Sequence, residues 1–233
     1  MKNYIEKLIR IIEKIASIIA KNLRWIVFFI CVIVFIKIVE NIFQEEISIF
    51  DNVIYHKISK IISNPVTAIM KIITEMGDAI CLISICVLTL IYKKTRKYGK
   101  YITSNLVIIA ILNKILKNIF ERPRPEGFRI IEAGGYSFPS GHSMASMAFY
   151  GFIIYLIYKK VKNPYLKWGG IAALGLLVLS IGISRIYLGV HYASDVIGGF
   201  CFSIAFLCLY TQCAKMFKPH LYTVKNNDKS NRK

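Results

Sequence analysis

Apolar residues along this chain fall in blocks of about twenty, with most charges gathered between the blocks. A helix needs about 20 mainly apolar residues to cross a bilayer. Windows of that length predict six spans: Trp25–Phe43, Met76–Tyr92, Tyr101–Ile119, His142–Tyr158, Trp168–Leu188 and Ala193–Ala214. The second and fourth are short, and the third carries Lys114 and Lys117 near its end. Ahead of the first span, Ile5, Leu8, Ile12, Ile15 and Ile19 recur at steps of three and four. Lys2, Lys7, Arg10, Lys14 and Lys21 lie largely elsewhere on the wheel. That pattern predicts a basic amphipathic helix over 1–24, resting on the inner leaflet. No A-x-A site follows the first span, which therefore reads as a retained anchor. Within 44–75, Ile54, Ile58, Ile61 and Ile62 keep helical spacing until Pro65 breaks it. The expected organisation is the interfacial helix 1–24, a six-helix all-α membrane bundle over 25–214, and a polar basic tail over 215–233.

Composition agrees with this layout. Of 233 residues, 55% are hydrophobic and only 19% charged, with a mean hydropathy of +0.52. Soluble domains sit nearer 45–50% apolar with about a quarter charged. Disorder is excluded by the wealth of Ile, Leu, Val and Phe, and a two-domain soluble enzyme by the length of the apolar blocks. The six cysteines (Cys31, Cys81, Cys86, Cys201, Cys208 and Cys213) have no C-x-x-C spacing and read as buried thiols.

A net charge of +18 would point to nucleic acid in a soluble protein. Here its distribution tells otherwise. Segments 1–24, 93–100, 159–167 and 215–233 hold 21 of the 31 Lys and Arg residues, and their only acids are Glu6, Glu13 and Asp228. The intervening connections are poor in Lys and Arg. By the positive-inside rule both termini are cytoplasmic, and 44–75, 120–141 and 189–192 face outward. The basic excess is a topology signal.

Ionisable groups nevertheless collect at the outward ends of four spans. Lys117 closes the third, followed by Arg122-Pro123-Arg124-Pro125; Pro139-Ser140-Gly141-His142 opens the fourth; Ser184-Arg185 closes the fifth, and His191 and Asp195 begin the sixth. Such groups are expensive at membrane depth and mark functional sites by default. Lys117, Arg124 and Arg185 offer enough cationic donors for a phosphate of about two negative charges. The prolines end the third helix and turn Arg124 back towards Lys117. Ser140 and Gly141 precede a helix, whose free N–H groups favour an anion. His191 and Asp195, at i and i+4, share a helix face, so the carboxylate can hold one ring nitrogen protonated and free the other as a nucleophile. His142 remains as a general acid. Each residue alone has a plainer reading: Lys117 as a snorkelling lysine, Arg122 and Arg124 as headgroup contacts, His191–Asp195 as a structural hydrogen bond. Lys37 and Glu40 read as an interfacial ion pair or the edge of a lipid entrance, and His56 and His220 carry no chemistry.

Taken together, Lys117-x6-Arg124-Pro125, Pro139-Ser140-Gly141-His142 and Ser184-Arg185-x5-His191-x3-Asp195 resemble the three-part signature of the type 2 phosphatidic acid phosphatase and haloperoxidase superfamily. No defining position departs from it. The resemblance covers 117–195, and the six-span layout resembles the membrane branch over most of the chain. It implies that His191 attacks phosphorus with Asp195 orienting it and that His142 protonates the leaving group. Lys117, Arg124, Ser140, Gly141 and Arg185 then bind phosphate. It implies no metal and no other cofactor, and Glu121, Glu126 and Glu132 read as solvated loop residues.

Three functions are weighed. A lipid phosphate phosphatase fits best, acting on a monoester or diphosphate such as undecaprenyl diphosphate, phosphatidic acid or phosphatidylglycerol phosphate. A vanadate-dependent haloperoxidase shares the pocket but belongs to a soluble branch. A non-catalytic transporter or scaffold would not need His142, His191 and Asp195 together. The expected partners are the bilayer and its lipid phosphate, with no nucleic acid. The Ile- and Lys-rich composition looks bacterial.

Overall fold

The computed structural model describes residues 2–127 and 129–217, with side chains described from 21 to 127 and from 129 to 214. The side chains that would decide the amphipathic face of 1–20, and the tail from 218, lie outside the described residues. Eight helices follow one another: α1 (Lys2–Phe43), α2 (Ile47–Ser59), α3 (Asn64–Glu75), α4 (Ala79–Ile91), α5 (Arg96–Phe120), α6 (Gly141–Lys160), α7 (Pro164–Tyr187) and α8 (Ala193–Phe217). No strand forms among the described residues.

Four helices are long and apolar enough to cross a membrane: the 21–43 part of α1, α5, α7 and α8. Helices α3 and α4, bent by 44° at a short break, make a fifth crossing if counted as one. The chain is a multi-pass membrane protein. Two expectations change in detail. The sequence places the second span at Met76–Tyr92, but α4 has only 13 residues, so its apolar run is extended by α3 around the bend. Pro65 does not merely end a helix; it sits in the first turn of α3, where a missing N–H costs nothing.

Helix α6 is too polar to pass as a span by composition, and its surroundings explain why. It packs against α5, α7 and α8, with Ser143, Met144, Ser146, Ala148, Phe149 and Phe152 fully buried. Walled by protein, it has no need of an all-apolar surface. Phe149, Tyr150 and Phe152 meet Leu82 of α4, Ile102 of α5 and Val178 and Ile181 of α7 in the main core. Outward-facing apolar residues such as Phe29, Ile33, Leu88, Ile111 and Leu176 remain exposed on the bundle surface, as lipid contact requires.

Helix starts follow their local chemistry. Asn163 caps α7 by accepting from the N–H groups of Tyr165 (2.9 Å) and Leu166 (3.2 Å). Asp78 caps α4 through the Ile80 N–H at 2.9 Å. At the end of α5, Glu121 takes the left-handed conformation (φ 46°) and the two prolines then exclude further helix. The six cysteines form no disulfide. Cys31 and Cys86 are buried as expected, whereas Cys213 is exposed, because its side of α8 lies on the outer surface of the bundle.

Candidate active site

The site lies where the 121–140 and 188–192 connections meet the ends of α5, α6, α7 and α8. Three backbone hydrogen bonds bring the motifs together. Ser137 N–H donates to the Arg122 carbonyl (2.8 Å), Ile130 N–H to that of Leu188 (3.0 Å), and Ser140 N–H to that of Asp195 (3.1 Å). Close packing allows the last of these. A Cβ on Gly199 would lie 3.1 Å from the Ser140 carbonyl oxygen, and one on Gly198 only 2.6 Å from Phe138. Phe138, fully buried, stacks on Phe35 (centroids 5.6 Å apart) and meets Phe120 edge-on (5.2 Å), which anchors the loop before Pro139.

His191 and Asp195 are buried and face each other across 3.3 Å between Nδ1 and Oδ2. On the other side of the ring, Arg124 Nη1 lies 3.1 Å from Nε2. A guanidinium only donates, so Nε2 carries the lone pair and Nδ1 the proton. Burial, opposed by the Asp195 carboxylate and reinforced by the charges of Arg124 and Arg185, pulls the His191 imidazole down to about 4. The ring is therefore neutral near pH 7, with its free nitrogen beside a cation.

Arg124 is itself held rigidly. It donates to the carbonyls of Val190 (2.7 Å), Gly134 (3.0 Å) and Gly135 (3.0 Å). Lys117 Nζ donates to the Tyr136 carbonyl at 2.5 Å. Arg185, 5% exposed, donates through Nη1 to Thr74 Oγ1 of α3 at 2.7 Å, while its buried Nε has no partner. A buried guanidinium donor left unpaired is costly unless a ligand completes it. An anion is the ligand it fits. Ser140 caps α6, its Oγ accepting from the Ser143 N–H at 3.4 Å and from the Ser143 hydroxyl at 3.0 Å. The side chain of Asn113 donates to the Pro139 carbonyl at 3.1 Å beneath Gly141. His142, in the first turn of α6, interacts electrostatically with Arg185, His191 and Arg124, and its Nε2 stands 3.9 Å from Asp78 Oδ2. The predicted residues thus converge on one region.

Sequence reasoning missed the residues that support them. Arg122 was weighed as a headgroup contact; it instead forms an interior ion pair with Asp195 (2.6 Å) and Asp51 (2.8 Å). Ser137 donates to Asp195 Oδ2, and Tyr192 N–H donates to the same oxygen at 2.8 Å. Asp51 and Thr74 sit on helices given no chemistry, and Asn113 lies one turn before Lys117 on α5; only their polarity within apolar surroundings could have flagged them. Glu121, Glu126 and Glu132 are exposed. Among the described residues no three His, Cys, Asp or Glu side chains cluster to hold a metal ion.

The profile of the PAP2 superfamily matches residues 97–219, more than half of the chain and all three motifs. The chain belongs to the PAP2 superfamily. Phosphatidylglycerophosphatase B of Bacillus subtilis (strain 168) is 42% identical over 92 residues, which are 39% of this chain and 45% of that protein. The chain thus matches under half the length of that relative. An undecaprenyl-diphosphatase of Sulfolobus acidocaldarius is 28% identical over 189 residues, covering 77% of this chain and 85% of the relative. The crystal structure of a transmembrane PAP2 type phosphatidylglycerolphosphate phosphatase from Bacillus subtilis superposes with a TM-score of 0.74 at 28% identity. That likeness covers 83% of this chain and 98% of the other. These PAP2 relatives are named as phosphatases of lipid phosphates.

Proposed function

We propose that the chain is an integral-membrane lipid phosphate phosphatase, cleaving a lipid phosphomonoester or diphosphate through a phosphohistidine. The observation that carries this reading is the environment of His191: a neutral, buried ring with Nδ1 towards Asp195 and Nε2 towards Arg124. The candidate substrates remain undecaprenyl diphosphate, phosphatidic acid and phosphatidylglycerol phosphate, two of which also carry the headgroup chemistry named for the relatives.

Phosphate enters among Lys117, Arg124 and Arg185 and draws the Arg124 guanidinium from Nε2 to its own oxygens. His191 Nε2 attacks phosphorus as the bond to the lipid oxygen breaks, and His142, which takes up a proton as the phosphate's negative charge offsets Arg185 and Arg124 beside it, gives that proton to the leaving oxygen. The charge developing on the ring is stabilised by Asp195, whose proton-accepting oxygen already faces Nδ1. Water, deprotonated by His142, then attacks the phosphohistidine and releases inorganic phosphate. At the start of α6, Gly141 adds a backbone donor to the phosphate and Ser140 its hydroxyl, since the Ser140 N–H is held by the Asp195 carbonyl.

In this reading α6 is the protein-enclosed fourth of six crossings, both termini are cytoplasmic, and the site faces outward. The N-terminal part of α1 lies along the inner leaflet. The test is phosphate release by purified protein in detergent micelles, with the three lipids side by side. Release from at least one, lost in His191→Ala, is expected. A folded protein that releases phosphate from none of them would sink the reading.

A further inference from the structure

Arg122 falls at an unspecified position of the first motif, yet it is the hub of a buried charge network. Its Nη1 donates to Asp195 Oδ1 at 2.6 Å and to Ser194 Oγ at 2.8 Å, and its Nη2 donates to Asp51 Oδ2 at 2.8 Å. The guanidinium also covers the Tyr192 ring, 4.2 Å from its centroid. Asp51, on α2, is 2% exposed. It accepts the Ser194 N–H on Oδ1 (2.8 Å) and the Ser194 hydroxyl on Oδ2 (2.7 Å). The pair therefore joins an outer helix to the first turn of α8.

The division of labour on Asp195 gives this network a purpose. Oδ1 belongs to Arg122, while Oδ2 serves Ser137, the Tyr192 N–H and His191. A carboxylate pinned at one oxygen cannot rotate about its last bond, so the other stays aligned with the imidazole. Charge matters equally. One guanidinium between two buried carboxylates leaves a local charge of minus one, which suits a ring that becomes cationic on attack.

We propose that Arg122, braced by Asp51, is a positioning residue: it fixes Asp195 so that Oδ2 meets the His191 Nδ1–H and sets the net negative charge beneath the ring. The kinetic side of this proposal rests on the phosphatase reading, and a second readout does not. The groups facing His191 are Asp195, Arg124, Arg185 and His142, with the Arg122–Asp51 pair behind Asp195. Removing Arg122 takes away a cation that opposes ring protonation; removing the Asp51 charge takes away an anion that favours it. The two changes must shift His191 in opposite directions.

The experiment uses the full chain in detergent micelles as wild type, Arg122→Gln, Arg122→Lys, Asp51→Asn and the Arg122→Gln/Asp51→Asn double variant. The His191 ring is titrated by NMR on histidine-labelled protein, and phosphate release is followed on the lipid that wild type cleaves best. Arg122→Gln should raise the His191 midpoint, Asp51→Asn should lower it, and Arg122→Lys should stay near wild type. Arg122→Gln should cut kcat by about 10–100-fold with KM within about twofold, as expected for a misplaced catalytic geometry. Arg122→Lys should restore the midpoint but not the full rate, because one ammonium cannot hold two carboxylates as a planar fork does. The double variant leaves Asp195 as the one charge of the three, still hydrogen-bonded by Ser137, the Tyr192 N–H and His191; it keeps the local charge at minus one and should fold, yet stay slow. A folded double variant with wild-type kcat, or single variants that move the midpoint in the same direction, would overturn the proposal. Failure of wild type on every lipid would count against the phosphatase reading, and the titration would still decide the positioning one.

Discussion

Arg124 sits on the face of His191 opposite Asp195, its Nη1 3.1 Å from the Nε2 that is to attack phosphorus. In the ligand-free site the guanidinium therefore occupies the lone pair it must later release. It holds the tautomer and excludes a proton from the same nitrogen. Phosphate oxygens, better acceptors for a cation than an imidazole nitrogen, supply the reason for it to let go.

This arrangement sets the pH dependence. Burial brings His191 to about 4 in the folded protein, against about 6.5 in an unfolded chain. A base whose folded value is depressed contributes stability that is full above the unfolded value and is lost as pH falls towards the folded one. Thermal stability in detergent should therefore decline between about pH 6.5 and 4, and His191→Gln should flatten part of that decline. The acid limb of kcat/KM, which reports free enzyme, should lie below 6. An acid limb at 6.5, shared by stability, would mean that the ring is solvated.

Much of this was legible beforehand, for identifiable reasons. His191, Asp195, Lys117 and Arg185 are ionisable residues at the ends of apolar runs, where polarity is conspicuous. Helix α6 was legible as an element from its apolar residues, but its enclosure was not, because Ser143 and Ser146 are buried by partners distant in sequence. Arg122 reads as a headgroup contact from the sequence, and Asp51 goes unnoticed, because their pairing spans 71 residues. A loop arginine beside prolines looks solvent-facing until α2 folds over it. The bend between α3 and α4 was hidden because hydropathy continues through it.

Packing between α8 and the loop before Ser140 yields a second prediction. A Cβ on Gly198 would lie 2.6 Å from the ring of Phe138, which is held by Phe35 and Phe120. Gly198→Ala should therefore destabilise by about 1–3 kcal/mol, the usual cost of overpacking, and displace Ser140. Lower thermal stability should accompany reduced turnover. Phe138→Leu in the same chain should recover part of both, by opening room at the contact. An alanine variant as stable as wild type would show that this loop is not fixed by the glycine.

The Lys and Arg asymmetry predicts orientation. Exposed Glu126 and Glu132 lie on the site's side, and exposed Lys94 and Lys162 on the other. In a cysteine-light background, single cysteines at Glu126 and Glu132 should react with impermeant maleimide in intact cells. Those at Lys94 and Lys162 should react only after lysis. The reverse pattern would turn the site towards the cytoplasm.

The two histidines can be separated by their leaving-group dependence. His191→Ala should abolish both turnover and any acid-labile, base-stable phosphoenzyme, because the nitrogen held between Asp195 and Arg124 is the one that attacks. His142→Ala should lower lipid turnover by roughly 10²–10⁴-fold, the usual worth of general acid–base catalysis. That loss should shrink on a nitrophenyl phosphate, whose leaving oxygen is already a weak base and needs little protonation. Its phosphoenzyme should then accumulate, since breakdown still requires His142 to deprotonate water. Asp195→Asn should leave KM nearly unchanged while cutting kcat, because the amide can hold the ring but cannot stabilise its charge. Labelled phosphate trapped on His142 would reverse the two roles and leave the reaction class standing. Full activity in His191→Ala would remove the phosphohistidine altogether.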